Sequence, residues 1–212
     1  MYNVGIIGLG FVGNSIYEFF KRYNNVKGYD IDINKTKNTR DDVLKSDILY
    51  LCLPTIFNSD LNTYDTTIIY NTCKLLKDLN YKGIILLKST VVPKTTEKLS
   101  NDFNLKIIHN PEFLTARTAC DDFKNQNHIV LGKTNNCDDN DLDYIYNFYK
   151  YYYPNAEISK CNSNESESMK IFCNNFYSVK IQFFNELYLL CQKINCDFNI
   201  IKNLMLKNNW IN

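Results

Sequence analysis

The sequence predicts an α/β protein in which a doubly wound parallel sheet is followed by a long α-helix. Three features support this fold class: short apolar segments alternate with amphipathic ones, a glycine-rich turn follows the first apolar segment, and an amphipathic segment near the C-terminus is unusually long. Alternating β and α segments predict a parallel sheet that is covered by helices on both faces.

The strands and helices follow from the periodicity of apolar residues. Six short, β-rich apolar segments are predicted to be buried strands: Tyr2–Ile7, Val26–Tyr29, Ile48–Leu53, Gly83–Lys88, Lys106–His109 and His128–Leu131. Four amphipathic segments between and after them are predicted to be helices: Phe11–Tyr23, Thr66–Leu79, Lys94–Phe103 and Asp138–Tyr151.

A longer helix is predicted over Glu165–Ile194, after a change of character that follows Pro154. It is about twice the usual helix length. Its apolar residues step by three or four positions, so that they share one face of the helix: Met169, Phe172, Phe176, Val179, Phe183, Leu187 and Leu190. This apolar face either packs within the chain or bridges domains or subunits, and the sequence favours neither.

The composition is that of a globular protein with small-molecule partners. Of the 212 residues, 45% are hydrophobic and 22% are charged, and the formal net charge is +1. Such a charge provides no basic field for nucleic acid or an anionic membrane. No apolar run approaches the roughly 20 residues that span a bilayer, and the N-terminus lacks the features of a secretory signal. We therefore predict a cytoplasmic protein that binds neither nucleic acid nor membrane.

The eight cysteines are predicted to be reduced thiols that mostly fill the core. They are scattered along the chain, and none forms a CxxC pair, whereas disulfide frameworks and zinc sites show characteristic spacings. Because the chain contains only two histidines, no metal site is predicted.

The glycine-rich turn predicts a dinucleotide site. Gly8, Gly10 and Gly13, with Phe11 and Val12 between them, form a GxGxxG motif between the first strand and the first helix. In a Rossmann-type domain these glycines allow a tight turn, close approach of a diphosphate, and close packing of helix on strand.

Asp30 strengthens this prediction, because it ends the second strand 22 positions after Gly8. A carboxylate there accepts hydrogen bonds from the ribose hydroxyls, and it disfavours the 2′-phosphate of NADP, so that NAD is the predicted cofactor. The alternative for Asp30 is a helix cap or a solvated turn residue. Lys35 is a further candidate neighbour of the diphosphate.

Residues that follow the third and fourth strands are predicted to complete the cofactor site. Pro54 and Thr55 follow the third strand, and Ser89 and Thr90 follow the fourth. In open α/β sheets ligands bind in the crevice at the carboxyl ends of the strands. Taken alone, each pair is equally consistent with a simple turn.

Four segments resemble the UDP-glucose and GDP-mannose 6-dehydrogenase family in order and spacing. They are CLPT at 52–55, KST at 88–90, NPEFL at 110–114 and ESESMKIFCNNFYSVKIQFFNEL at 165–187. The resemblance covers essentially the whole chain. It implies NAD-dependent oxidation of UDP-glucose to UDP-glucuronate through cysteine-bound intermediates, with this chain supplying the NAD-binding half. It also implies an NAD-binding domain over residues 1–160, and over 161–212 a central helix that forms a homodimer, with the start of a central domain.

The resemblance also implies catalytic roles for four residues. Thr90 and Glu112 would position or activate water, while Lys170 and Asn174 would stabilise the oxyanion that develops at C6. The last two lie four residues apart on one helical face, so that an ammonium and an amide can converge on one oxygen. Without the resemblance, Lys170 and Asn174 are equally well explained as polar surface residues, and Glu112 as a residue that opens a helix.

The sequence departs from the family pattern in three places. It ends before the family's GGxCxPKD-like segment, which contains the nucleophilic cysteine, and the apolar C-terminal residues (Leu204, Met205, Leu206, Trp210 and Ile211) suggest a truncated chain or a split reading frame. We therefore expect this chain to bind NAD without completing the oxidation. After NPEFL the family usually has a second acidic residue, where this chain reads Thr115-Ala116-Arg117, and Lys94 stands in place of the glycine of the STxPxG turn.

Two alternative functions remain at this stage. A 3-hydroxyacid dehydrogenase also joins a dinucleotide-binding domain to a long helix, with a lysine and an asparagine four residues apart. A non-catalytic NAD-binding or dimerising subunit would share the glycine motif and lack the nucleophile. The sequence alone does not determine which sugar nucleotide the protein uses.

Overall fold

A computed structural model describes residues 1–60 and 62–207 of the chain. Trp210 and Ile211 lie outside the described residues. The chain divides into two compact units, Met1–Ile171 and Phe172–Asn212, which are described separately. The predicted domain boundary at residue 160 remains a prediction.

The first unit is built around a seven-stranded sheet. A separate two-stranded hairpin, β4 and β5, comes between β3 and β6 along the chain. The sheet order is β2-β1-β3-β6-β7-β8-β9, and every pair is parallel except β7 with β8. The strands are β1 (Asn3–Ile7), β2 (Asn25–Tyr29), β3 (Ile48–Leu51), β4 (Phe57–Asn58), β5 (Thr63–Tyr64), β6 (Ile84–Leu87), β7 (Ile107–His109), β8 (His128–Lys133) and β9 (Glu157–Asn162).

Six helices of the first unit flank the sheet or connect its strands. They are α1 (Phe11–Phe20), α2 (Arg40–Val43), α3 (Thr67–Asp78), α4 (Thr95–Phe103), α5 (Ala119–Lys124) and α6 (Asp139–Tyr152). Apolar residues of α1, α5 and α6 pack with one set of sheet residues, and those of α2, α3 and α4 pack with another. These two buried clusters confirm the predicted doubly wound arrangement.

The structure differs from the sequence-based prediction at one end of the sheet. All six predicted strands are present, but β8 runs antiparallel to β7. The connection between them, residues 110–127, contains only the six-residue α5, whereas parallel neighbours are usually joined by a longer crossover helix. β9 was not predicted, because it is a partly exposed edge strand with a polar sequence.

The long helix α7 (Ser163–Lys193) begins directly after β9 and confirms the predicted helix to within two residues. In the second unit it is followed by α8 (Phe198–Leu206), whose N-terminus is capped by the carboxylate of Asp197. Apolar residues along α7 are exposed within the chain, including Phe172, which is 72% exposed, and Val179, which is 68% exposed. No helix formed by the described residues has the length and apolar character that a bilayer crossing requires.

All eight cysteines are free thiols. The prediction that most of them fill the core is wrong, since only Cys73, Cys137 and Cys191 are buried. The others lie in partly or fully exposed positions, because helix surfaces and strand ends also tolerate a small apolar side chain.

Candidate dinucleotide site

A cavity of about 730 Å³ lies at the carboxyl ends of β1, β2, β3 and β6 and reaches the segment after β7. Every residue predicted to bind the cofactor lines it: Gly8, Gly10, Phe11, Val12, Gly13, Asp30, Lys35, Pro54, Thr55, Ser89 and Thr90. Glu112 lines it as well. Of the other predicted catalytic residues, Lys170 contacts Glu112, whereas Asn174 belongs to the second unit.

The three glycines shape the floor of this cavity. Gly8 has a φ of +91°, and a Cβ there would lie 2.3 Å from the carbonyl oxygen of Cys52. A Cβ on Gly13 would lie 1.8 Å from the carbonyl oxygen of Gly8. By contrast, a Cβ on Gly10 would meet no atom within 4 Å. The first and third glycines are therefore required by the fold, while Gly10 leaves open space for a ligand.

The N-terminus of α1 faces this open space without a side-chain cap. Gly10 is the N-cap residue, and the first turn contains no acidic residue. The amide groups and the dipole of a ten-residue helix therefore attract an anion at this point. The donor set and the space above Gly10 fit the diphosphate of a dinucleotide.

Asp30 is held in place by two backbone amides. The amide of Leu9 donates to Asp30 Oδ2 at 2.6 Å, and the amide of Asp32 donates to Oδ1 at 2.8 Å. The second of these bonds is the turn role that the sequence also allows for Asp30. Because each carboxylate oxygen has a further lone pair, the fixed side chain can also accept hydrogen bonds from ribose hydroxyls.

Two cations border the same end of the cavity. Lys35 pairs with Asp32 at 3.4 Å, and Arg40, at the start of α2, also lines the cavity. The fold brings Arg40 to the cavity although it lies ten positions after Asp30 in the sequence. The predicted preference for NAD therefore depends on the carboxylate of Asp30 and not on the absence of a cation.

Hydroxyl groups join the ends of β3 and β6. The hydroxyl of Ser89 donates to the carbonyl oxygen of Leu53 at 2.6 Å and accepts from its amide at 3.1 Å. The hydroxyl of Thr55 donates to the carbonyl oxygen of Thr90 at 2.7 Å. Ser89 therefore fixes the wall of the cavity, and Thr90 is held beside it.

Glu112 and Lys170 form a partly buried ion pair. Lys170 Nζ lies 3.4 Å from Glu112 Oε1 and also donates to the carbonyl oxygen of Glu112. Glu112 Oε2 accepts from the amide of Leu114 at 2.6 Å. The side chains are 8% and 20% exposed for Lys170 and Glu112. The carboxylate and the ammonium for which the family resemblance implies catalytic roles therefore lie together, and Glu112 lines the cavity.

A second lysine, Lys88, lines the cavity and was not predicted to be functional. It is only 4% exposed, and it donates to Asn110 Oδ1 at 3.1 Å and to the carbonyl oxygen of Pro111 at 3.2 Å. Asn110 in turn accepts from the Tyr149 hydroxyl at 2.6 Å and donates to the carbonyl oxygen of Val130 at 2.8 Å. Burial lowers the pKa of Lys88 to about 8.

Glu167, on α7, fixes the loop that follows Thr90. It is fully buried, and its carboxylate accepts from the amides of Lys94 and Thr96 at 2.7 Å each and from the Thr96 hydroxyl at 2.5 Å. Lys94, which replaces the glycine of the family's turn, has a φ of +78°. The turn therefore keeps its left-handed conformation at the cost of backbone strain.

The two histidines lie at strand ends, His109 at the end of β7 and His128 at the start of β8. His109 is completely buried, and its Nδ1 lies 2.7 Å from the Ser166 hydroxyl. Burial lowers the pKa of His109 to about 3, and the nearby Lys88 contributes. His128 is exposed and contacts Ser159.

Residues 32–150, more than half of the chain, match the NAD binding domain of the UDP-glucose/GDP-mannose dehydrogenase family. The chain belongs to this family. Residues 164–212 match the family's central domain. The family consists of NAD-dependent nucleotide-sugar dehydrogenases, which favours the sugar-nucleotide interpretation over the 3-hydroxyacid alternative. The glycine motif precedes the first matched segment, so the structure provides the support for it.

Individual relatives agree with this family. The chain is 28% identical to the UDP-glucose 6-dehydrogenase of Campylobacter jejuni, over 94% of this chain and 58% of the relative. Its fold is similar to that of a UDP-glucose dehydrogenase from Pyrobaculum islandicum, with a TM-score of 0.85, 21% identity, and coverage of 99% of this chain and 57% of the other. A GDP-mannose dehydrogenase from Pseudomonas aeruginosa, solved as a ternary complex, gives a TM-score of 0.81 at 20% identity, over 98% and 57%. The chain therefore spans somewhat over half the length of these proteins.

Lys88, Arg40 and Glu167 are the residues that sequence reasoning missed. A signal for Lys88 was present, because a lysine directly after four apolar residues at a strand end is an unusual position for a charge. No sequence signal places Arg40 in the cavity or Glu167 against the loop at residues 94–96, since both contacts depend on tertiary packing.

Proposed function

We propose that this chain is the NAD-binding half of a nucleotide-sugar 6-dehydrogenase that oxidises UDP-glucose to UDP-glucuronate. The observation that carries the proposal is one continuous cavity at the point where the strand order reverses. It joins a ribose-binding carboxylate, an uncapped helix N-terminus and a hydroxyl and carboxylate pair. Dinucleotides bind across this crevice in doubly wound sheets.

Different residues along the cavity bind the cofactor and act on the substrate. Asp30 binds the ribose of the adenosine, and the amides at the start of α1 bind the diphosphate. When bound, NAD supplies a hydride acceptor whose nicotinamide ring is cationic before reduction and neutral after it. Glu112 holds or removes a proton near the reacting carbon, assisted by Thr90, and Lys170 stabilises negative charge on the substrate oxygen. We assign the same role as Lys170 to Asn174, which lies four residues further along α7.

The proposal of UDP-glucose as substrate is supported by sequence relatives. Relatives from Campylobacter jejuni and Streptococcus pneumoniae are named UDP-glucose 6-dehydrogenase. Structural neighbours include GDP-mannose and UDP-N-acetyl-mannosamine dehydrogenases. We therefore put forward UDP-glucose first and the other two sugar nucleotides as competitors in any assay.

We further propose that the protein forms a homodimer through α7. Support comes from large apolar side chains that α7 leaves exposed within the chain, among them Phe172, Phe176, Val179 and Phe183, which are 50–72% exposed. A contiguous apolar surface of this kind is uncommon on a monomer. Sedimentation analysis of a Val179→Glu variant would show a monomer if the proposal is correct, and an unchanged oligomer would contradict it.

The variant Gly10→Val tests the dinucleotide site. A Cβ at Gly10 meets no protein atom within 4 Å, and its φ of −69° suits any residue, so folding should be affected by no more than about 1 kcal/mol through weaker capping. The side chain would instead occupy the space above the helix N-terminus. We expect calorimetry to show 1:1 binding of NAD to the wild type and at least about tenfold weaker binding to the variant.

The substrate proposal needs an activity measurement on the intact gene product. Two NADH should form for each UDP-glucose, and GDP-mannose, UDP-N-acetyl-mannosamine and 3-hydroxybutyrate should react more slowly. Faster turnover of any of these three would refute the assignment of UDP-glucose. Failure of the wild-type chain to bind NAD would refute the proposed function altogether.

A further inference from the structure

Lys88 places a positive charge at one end of the cavity, where Glu112 acts on it electrostatically without forming an ion pair. Two of its N–H groups are taken up by neutral acceptors, Asn110 Oδ1 and the carbonyl oxygen of Pro111. Within residues 1–60 and 62–207, no carboxylate lies close enough to Lys88 to form an ion pair. An ammonium has three donors, so one N–H remains for a ligand.

The other titratable groups that face Lys88 are neutral or paired. Burial raises the pKa of the Cys52 thiol to about 12 and lowers that of His109 to about 3, so both are uncharged near neutral pH. Glu112 and Lys170 form an ion pair with each other. The net charge at this end of the cavity therefore comes from Lys88.

The order of strands shows which part of a dinucleotide reaches this charge. Asp30 follows β2, the glycine turn follows β1, and Lys88 follows β6, two strands beyond β1 in the order β2-β1-β3-β6. With a strand spacing of about 4.8 Å, the ends of β2 and β6 are separated by about 14 Å. A dinucleotide with its adenosine at Asp30 and its diphosphate at β1 therefore directs its nicotinamide towards β3 and β6.

The position of Lys88 is fixed by a buried chain of hydrogen bonds. The Tyr50 hydroxyl donates to that of Tyr149 at 2.8 Å, and Tyr149 donates to Asn110 Oδ1, the acceptor of Lys88. Tyr50, Tyr149 and Asn110 are at most 1% exposed. The ammonium is therefore held at this end of the cavity when a second positive charge enters it.

We propose that Lys88 acts on the nicotinamide end of the bound dinucleotide and favours its reduced form over its oxidised form. The inference rests on the proposed NAD site. The oxidised ring is cationic and the reduced ring is neutral, so a fixed ammonium in the same cavity weakens binding of NAD relative to NADH. Lys88 would then promote hydride uptake by opposing the charge that the hydride removes. It is a residue that tunes the equilibrium and exchanges no proton with the substrate.

The test compares three ligands by calorimetry on the whole chain. NAD, NADH and ADP-ribose, which lacks the nicotinamide, are titrated into the wild type, into Lys88→Met, and into Lys45→Met, a control lysine whose side chain is 77% exposed. We expect Lys88→Met to lower the ratio of the NAD and NADH dissociation constants by at least about fivefold. Its ADP-ribose affinity should stay within about twofold of the wild type, and Lys45→Met should change none of the three.

Each other outcome is decisive. A change in the ratio below about fivefold, or equal weakening of all three ligands, would overturn the role of Lys88 and leave the NAD site intact. If the wild type bound none of the ligands, the proposed function would fail, and this inference with it.

A second measurement needs no variant and covers the case in which Lys88→Met does not fold. Because the pKa of Lys88 is lowered to about 8, raising the pH from 6.5 to 9.5 should neutralise the ammonium. The ratio of the NAD and NADH dissociation constants should then fall at least about fivefold in the wild type, while ADP-ribose binding stays constant. A ratio that does not change with pH would refute the proposal.

Discussion

Replacing Asp30 by alanine should have separate effects on stability and on cofactor choice. In the free protein the carboxylate accepts from the amides of Leu9 and Asp32 at 2.6 and 2.8 Å. Leu9 is only 4% exposed, so its amide would lose its partner without full access to water. The amide of Asp32 lies in an exposed loop, where water can replace the carboxylate.

The size of each effect follows from these contacts. One partly buried, unpaired amide costs about 1–3 kcal/mol, so the free energy of unfolding should fall by about that amount. In the complex, two hydrogen bonds from ribose hydroxyls to a carboxylate would be lost at about 1.5 kcal/mol or more each. Affinity for NAD should then fall at least about a hundredfold. NADP should be affected far less, because the change also removes a charge that repels its 2′-phosphate, while Lys35 and Arg40 remain.

Urea denaturation and calorimetry with NAD and NADP measure these effects. Asp32→Ala is the matched control, because Asp32 is two residues away, pairs with Lys35 and does not line the cavity. It should leave the preference for NAD over NADP unchanged. The reasoning would be refuted if both variants altered NAD binding equally, or if Asp30→Ala kept the wild-type preference.

Three further predictions concern residues that support the site: Lys94, Glu167 and His109. Lys94→Gly should raise the free energy of unfolding in urea by about 0.5–1 kcal/mol, because it relieves a residue with a φ of +78°, and any loss of stability would contradict this. Glu167→Ala should lower the free energy of unfolding by about 3 kcal/mol or more, since three donors lose a buried acceptor. The control Glu165→Ala, on the exposed side of α7, should lower it by about 1 kcal/mol. Equal losses of stability in the two variants would argue against the role of Glu167. Because the pKa of His109 falls from 6.5 to about 3 on folding, the unfolded chain binds one proton more between these values, and stability should decline by about 1.4 kcal/mol per pH unit as the pH falls through this window. His109→Gln should reduce that slope between pH 6.5 and 5, and an unchanged slope would exclude His109 as its source.

The sequence predicted the part of the fold in which local pattern and burial agree. Apolar segments such as Ile48–Leu51 and Ile84–Leu87 are completely or almost completely buried central strands, so their composition alone identifies them. β9 is an edge strand of the sheet, where partial exposure permits polar residues and weakens the pattern. The direction of β8 depends on how its connection packs, which no periodicity encodes.

The candidate site was predictable where it follows strand ends and glycine spacing. Gly8, Gly10 and Gly13 meet Asp30 and Glu112 in one cavity because parallel strands end at the same edge of the sheet. The buried charge of Lys88 and the hydrogen bonds from the loop at residues 94–96 to Glu167 could not be predicted from the sequence, because they depend on contacts between distant segments.

The most direct test of the whole account is a crystal structure of this chain grown with NAD. We predict that the diphosphate lies within hydrogen-bond distance of the amides at the start of α1, with a ribose hydroxyl on the carboxylate of Asp30. Dinucleotide bound on any other surface, or a diphosphate remote from Gly10, would contradict it.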